Sequence, residues 1–192
     1  EINSWETEGV PTDLHWDGKR LLMAGGPAGL LLYDWEGPGN EPYLRGRYPF
    51  VDYTKEIAVG SEGIVYLADN FDTGLQVLRT EDIMRPEGLA TERRDFVDSV
   101  AREGDLVAIA ARRVGTYLFD MSNPAAPREI GFIRALPTSD RGGFNVRRVD
   151  LDKLGHLIVC EGAQGARLFQ LTPGEKGLSV KSIGRYPAGR GT

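Results

Sequence analysis

Apolar residues in this chain come in short runs with a regular punctuation. Four continuously apolar runs, RLLMAGG, GIVYLADN, LVAIAARR and HLIVCEG, each follow an alternating segment that ends in a polar turn: TDLHWDGK, KEIAVGSEG, DSVAREGD and RRVDLDKLG. A glycine then opens a second apolar run, in AGLLLYD at Gly29, TGLQVLR at Gly74, VGTYLFD at Gly115 and QGARLFQ at Gly165. A Pro- or Gly-rich turn leads on to YLRGRYPF, EGLATERR, REIGFIRA or LSVKSIGRYP. The four glycines are 45, 41 and 50 residues apart, so one unit recurs four times.

Each segment is about five to eight residues long, which suits strands and is short for helices. No apolar period of 3.6 is sustained anywhere. The nearest helix candidate, Thr80 to Ala90, is interrupted by Pro86 and Gly88. Each unit therefore reads as four antiparallel strands, A to D. B and C are apolar on both faces, and D alternates as an outer edge strand should. Tandem four-stranded units of this length predict an all-β chain, a β-propeller built of about four four-stranded antiparallel blades. A sandwich gives no reason for the period, and solenoid coils are shorter.

The blades fall at 11–53, 54–96, 97–144 and 145–192, with residues 1–10 read as a terminal strand belonging to an adjacent blade. The start at Glu1, without a methionine, reads as a processed mature chain or a piece of something longer. Four blades are close to the minimum for closure. Three arrangements fit: a compact ring, part of a larger propeller, or an oligomeric propeller assembled from copies. A lone open arc would leave the apolar faces of its end blades in water. The expected partner is thus another protein or a second copy, engaged through the terminal blade edges.

Composition narrows the function. With 41% hydrophobic and 27% charged residues the chain can bury a sizeable core. Its net charge of −5 is spread in both signs, which leaves no basic field for nucleic acid or a membrane surface. No apolar run approaches the roughly 20 residues of a membrane span. The one cysteine, Cys160, excludes an intramolecular disulfide and any cysteine-built metal site. Its place in HLIVC predicts a buried thiol.

Candidate chemistry is sparse. His15 and His156 lie in unrelated repeats and make a poor metal pair. No serine stands in a Gly-x-Ser-x-Gly elbow, and GGPAG opens no helix that could hold phosphate. DNFDTG, from Asp69 to Gly74, resembles the first half of a calcium loop, but Thr80 falls where a bidentate Glu is required. A tight polar turn is the simpler reading, so no cofactor is expected, with calcium as the one alternative.

Propeller topology puts the B–C loops and D–A connections on one face. That face gathers Asp69, Asp72, Arg112, Arg113 and Glu161, with Asp140 and Arg141 from the long connection Ala135 to Val146, as a candidate binding face. Trp5, Trp16 and Trp35 all lie near the N-terminal edge, either as blade packing or as an interaction surface.

The third repeat resembles the LVIVD-repeat β-propeller family. Asp120, Ser122, Asn123, Pro124, Pro127 and Gly131 fall on that family's Gly-Leu, apolar strand, Asp, Ser-Asn-Pro-x-x-Pro pattern. The other repeats keep parts of it: Gly29-Leu30 and Asp34, Gly74-Leu75, and Gly165 with Gln170 where the Asp would stand. The resemblance implies a secreted or surface-attached protein without a common enzymatic activity. Two functions follow. One is a non-catalytic module for protein binding or assembly, at the cell surface or outside the cell. The other is a propeller enzyme with a hydrolase-like site in the central channel, where groups such as Asp98, Asp140 and Arg141 would do acid–base work.

Overall fold

The computed structural model describes residues 4–137, 146–174 and 177–188. They form sixteen strands in four antiparallel sheets, each a meander in chain order. Sheet 1 holds β1 (Asp13–Trp16), β2 (Arg20–Ala24), β3 (Leu30–Asp34) and β4 (Tyr43–Tyr48). Sheet 2 holds β5 (Thr54–Val59), β6 (Ile64–Asp69), β7 (Gly74–Arg79) and β8 (Glu87–Glu92). Sheet 3 holds β9 (Val97–Glu103), β10 (Leu106–Ala111), β11 (Gly115–Asp120) and β12 (Arg128–Arg134). Sheet 4 holds β13 (Arg148–Leu151), β14 (His156–Cys160), β15 (Ala166–Gly174) and β16 (Gly177–Tyr186). No α-helix occurs among the described residues, and Gly162–Gln164 makes a single 3-10 turn.

The sheets stack in sequence order through three apolar interfaces. Leu22, Leu30 and Leu32 of sheet 1 meet Ile57, Leu67 and Leu78 of sheet 2. Tyr66, Ala68, Leu75 and Val77 of sheet 2 meet Val100, Ile109 and Phe119 of sheet 3. Ala108, Ala110 and Leu118 of sheet 3 meet Val149, Val159 and Phe169 of sheet 4. Because β-strand side chains alternate, each middle sheet buries one set against the sheet before it and the other against the sheet after it. Among the described residues no buried cluster joins sheet 4 to sheet 1.

The repeat's glycine has a concrete cause. Gly29 and Gly165 sit at φ 84° and 87°, and a Cβ there would collide with the Tyr48 and Tyr186 carbonyl oxygens of the same sheet's last strand. A bulge follows at one fixed place. The pairing of third and fourth strands shifts at Leu32/Tyr33, Val77/Leu78, Leu118/Phe119 and Leu168/Phe169. Such a bulge deepens the twist of a sheet, and here every sheet receives it at its outer edge.

Residues 4–12 carry no assigned strand, though Thr12 N–H donates to the Ala24 carbonyl of β2 at 2.9 Å. They lie over the outer face of sheet 1. Trp5 packs edge-on against Trp35 at 6.2 Å, Val10 N–H donates to the Gly25 carbonyl at 3.0 Å, and Glu8 pairs with Arg47 at 2.7 Å. Cys160, expected to be buried, is only partly so. Its counterparts Ala24, Ala68 and Ala110 are fully buried by a following sheet, and nothing among the described residues follows sheet 4.

Candidate functional site

The first strands of successive sheets lie side by side, β1 with β5, β5 with β9 and β9 with β13, and each carries a polar residue at one recurring position. In each sheet that residue pairs with a small residue on the second strand, which pairs in turn with the first residue after the repeat glycine. The four rows are Asp13–Ala24–Leu30, Glu56–Ala68–Leu75, Ser99–Ala110–Thr116 and Arg148–Cys160–Ala166.

The polar residue of one sheet accepts a hydrogen bond from the backbone of the next. Ile57 N–H donates to Asp13 Oδ2 at 2.9 Å, Val100 N–H to Glu56 Oε2 at 3.0 Å, and Val149 N–H to Ser99 Oγ at 3.2 Å. A first strand has a partner on one side only, so alternate N–H groups point away from its own sheet and need an acceptor. The row supplies it at each of the three junctions. Burial pushes the Glu56 carboxyl up, against the Ser99 hydroxyl and the Arg148 guanidinium, which both favour its ionised form. Arg148 reaches Glu56 Oε1 at 2.7 Å.

At the loop face a second pattern recurs in sheets 2 and 4. Asp69 and Glu161 occupy the same position at the end of the second strand, and both are buried. Asp69 accepts from Tyr53 N–H at 2.6 Å, Asp52 N–H at 3.0 Å and Gln76 Nε2 at 3.0 Å. Its carboxyl is raised by burial, with those hydrogen bonds opposing. Glu161 accepts from Leu136 N–H at 3.0 Å and from Arg167 Nε and Nη2, both at 2.7 Å. Each acid ties down the connection arriving from the preceding sheet. Sheet 3 uses Asp98 instead, which takes Arg112 Nε and Nη2 at 2.5 and 2.8 Å and Asn70 Nδ2 at 2.6 Å.

The candidate face is therefore split. Asp69 and Glu161 lie beneath the surface in structural roles, Arg112 is half-buried on Asp98, and Asp72 and Arg113 remain exposed. Asp140 and Arg141 lie outside the described residues. The calcium-like stretch turns Asp69 inwards, while Asn70 Oδ1 accepts from Phe71 N–H and Asp72 N–H donates to Asp52 at 3.3 Å. Among the described residues no group of three or more His, Cys, Asp or Glu is placed to hold a metal. His156 instead pairs with Asp152 at 2.8 Å.

Sequence reading missed Asp13, Glu56 and Arg148 altogether. The available signal was a polar residue sixteen to eighteen positions before each repeat glycine, blurred by a bulge in β5 and another in β9.

The end faces differ from the inner ones. Ile158 of sheet 4 is 43% exposed, whereas its counterparts Leu22, Tyr66 and Ala108 are 2%, 3% and 0% exposed. Ile183 and Tyr186 are exposed on the same sheet. On sheet 1, Met23, Leu31 and Tyr33 are buried, while Leu14 and Trp16 remain exposed. Trp16 lies 5.1 Å from Trp35, so the tryptophans make one cluster at this end.

Solved structures share this arrangement. A candidate 6-phosphogluconolactonase from Bacteroides uniformis aligns over 90% of this chain and 53% of its own, with TM-score 0.70 and 13% identity. A chain of the COPII coat on membranes, at the outer coat vertex, aligns over 93% of this chain and 51% of its own, with TM-score 0.66 and 13% identity. The likeness is one of fold. This chain spans about half the length of those structures. The computationally designed Ika4 protein matches end to end, over 93% of this chain and 94% of that one, with TM-score 0.58 and 11% identity. No family model and no curated protein matches the sequence. Among the described residues no helix is long and apolar enough to cross a membrane.

Proposed function

We propose that this chain is a non-catalytic β-propeller module that binds or assembles with another protein, at the cell surface or outside the cell, through the uncovered face of its fourth sheet. The supporting observation is the exposure of Ile158 at a position that is buried in all three other sheets. An apolar stripe built to the same pattern as three buried interfaces, and left in water, is the mark of a surface awaiting a partner. The LVIVD resemblance belongs to the same reading. Asp120 Oδ1 accepts from Ser122 N–H at 2.9 Å, which gives the Asp of that motif a structural job. Ile158→Asp tests the docking face. It should leave the isolated chain folded, because the residue is already half in water, and abolish capture of the partner in pull-down and light-scattering measurements. A partner bound equally well by Ile158→Asp contradicts the reading.

A second reading, a hydrolase-like propeller enzyme, draws support from Glu56, whose burial-raised carboxyl stands beside Arg148. It requires measurable turnover of ester or lactone substrates that Glu56→Gln removes. The first reading expects no turnover with either protein.

A further inference from the structure

We propose that Phe71, with the carboxylates of Asp52 and Asp72, forms a docking point on the loop face for an arginine side chain of a partner polypeptide. The point lies where the loops of sheets 2 and 3 meet, away from both end faces, and does not depend on the reading of sheet 4. Three features carry it.

The first is the strain of placing a phenylalanine there. Phe71 stands three residues before the repeat glycine of sheet 2 and has φ 70°. Sheets 1 and 4 place Gly26 and Gly162 at that position, with φ 58° and 54°. The fold closes the same loop with glycine, whereas Phe71 takes a left-handed backbone that a bulky side chain disfavours. Its ring gains little burial in return, for it is 50% exposed. A strained residue with its side chain in water points to a task outside the fold.

The second is that the ring is held in place. Buried Asn70 accepts from Phe71 N–H at 2.8 Å and donates through Nδ2 to Asp98 at 2.6 Å. The Phe71 carbonyl accepts from Phe96 N–H at 2.8 Å, and the two rings pack edge-on at 6.1 Å. A partner meets a ring already fixed, so little ordering opposes binding.

The third is charge. Other rings of this chain carry cations of their own: Lys55 lies 4.5 Å from the centre of Tyr53, Arg94 4.7 Å from Tyr117 and Arg112 5.5 Å from Phe96. Among the described residues no cation lies over Phe71. Asp72 follows it in the same turn, and Asp72 N–H and the Thr73 hydroxyl both donate to Asp52 Oδ2, at 3.3 and 2.5 Å. Neither Asp52 nor Asp72 is in an ion pair among the described residues. Buried Asp69, whose carboxyl feels the charge of Asp52, is held by neutral donors alone. An exposed ring in a turn of uncompensated negative charge is complementary to a cation. Arginine fits better than lysine, because its flat guanidinium stacks on a ring while its N–H fork reaches a carboxylate.

Titration calorimetry on the intact chain at low salt, with hexa-arginine and with hexa-citrulline as its uncharged isostere, tests this. Hexa-arginine should bind and hexa-citrulline should not. Phe71→Ala should weaken hexa-arginine by about two- to fivefold, the worth of one exposed cation–ring contact, and Phe71→Tyr should restore it. Asp52→Asn/Asp72→Asn should also weaken it. Glu103→Gln/Asp105→Asn, which removes equal charge from the turn between β9 and β10 on the opposite face, should change it little. Circular dichroism establishes that each variant keeps its sheets. Failure of hexa-arginine to bind, equal binding of hexa-citrulline, or wild-type affinity in Phe71→Ala overturns the proposal. Equal losses in the two double variants would assign the attraction to net charge and overturn it too.

Discussion

Single carboxylates in this chain do opposite jobs according to their depth. Glu161 is buried and paired with Arg167, whose Nη2 also donates to the Arg134 carbonyl at 2.8 Å. Removing one member of such a pair strands a charge in a place water cannot reach. Arg167→Met should therefore destabilise the fold by about 3–5 kcal/mol, read as a lowered midpoint in urea. The double variant Arg167→Met/Glu161→Leu should recover much of that loss. Asp120 is near the surface and works the other way. The Ser122 N–H and the Arg128 guanidinium hold its carboxyl at about 2. Its folded value lies below the unfolded value of about 3.9, so its stabilisation is present above pH 4 and is lost as the pH falls towards 2. Asp120→Ala should lower stability at neutral pH and flatten the acid limb of the stability curve between pH 4 and 2. An unchanged acid limb would mean that the turn does not depend on this carboxylate.

At the scale of strands, the sequence was most legible where one residue type answers one geometric need. The glycines at 29, 74, 115 and 165 announce the third strand of each sheet because a side chain there would strike the fourth. Gly165→Ala, at φ 87° and against the Tyr186 carbonyl, should cost about 1–3 kcal/mol from backbone strain, with the added collision on top. Hydrogen exchange should locate the loosening in β15 and β16. A variant as stable as wild type would remove the reason for the repeat's most constant residue. The row on the first strands was illegible for the converse reason. Asp13, Glu56 and Ser99 are three residue types that share only the ability to accept a hydrogen bond, and what they serve is a neighbouring sheet some forty residues away in sequence. Local pattern records the alternation within a sheet and is silent on the register between sheets. The same limit explains Asp69 and Glu161. Charge in a loop reads as surface, and only the arrival of Tyr53 and Leu136 from the previous sheet turns each acid inwards. Residues 1–10 read as a terminal strand of an adjacent blade, and over the described part of that stretch Trp5 and Glu8 find partners on sheet 1.

For the whole molecule, four alike sheets meet through three interfaces, and the ends are unlike. At one end residues 4–12 cover Met23, Leu31 and Tyr33 but leave Leu14 and Trp16 exposed, and the other presents Ile158 and Ile183 to solvent. The sole cysteine stands on that open face. Cys160 occupies the row position at which Ala24, Ala68 and Ala110 are sealed by the next sheet. Its reaction with a small thiol reagent therefore reports the state of the face without any mutation. The account predicts that native Cys160 is modified without prior unfolding, at a rate insensitive to low denaturant, and that a docked partner protects it. If Cys160 reacts only as fast as the whole protein unfolds, the fourth sheet is already covered, and the open docking face does not exist.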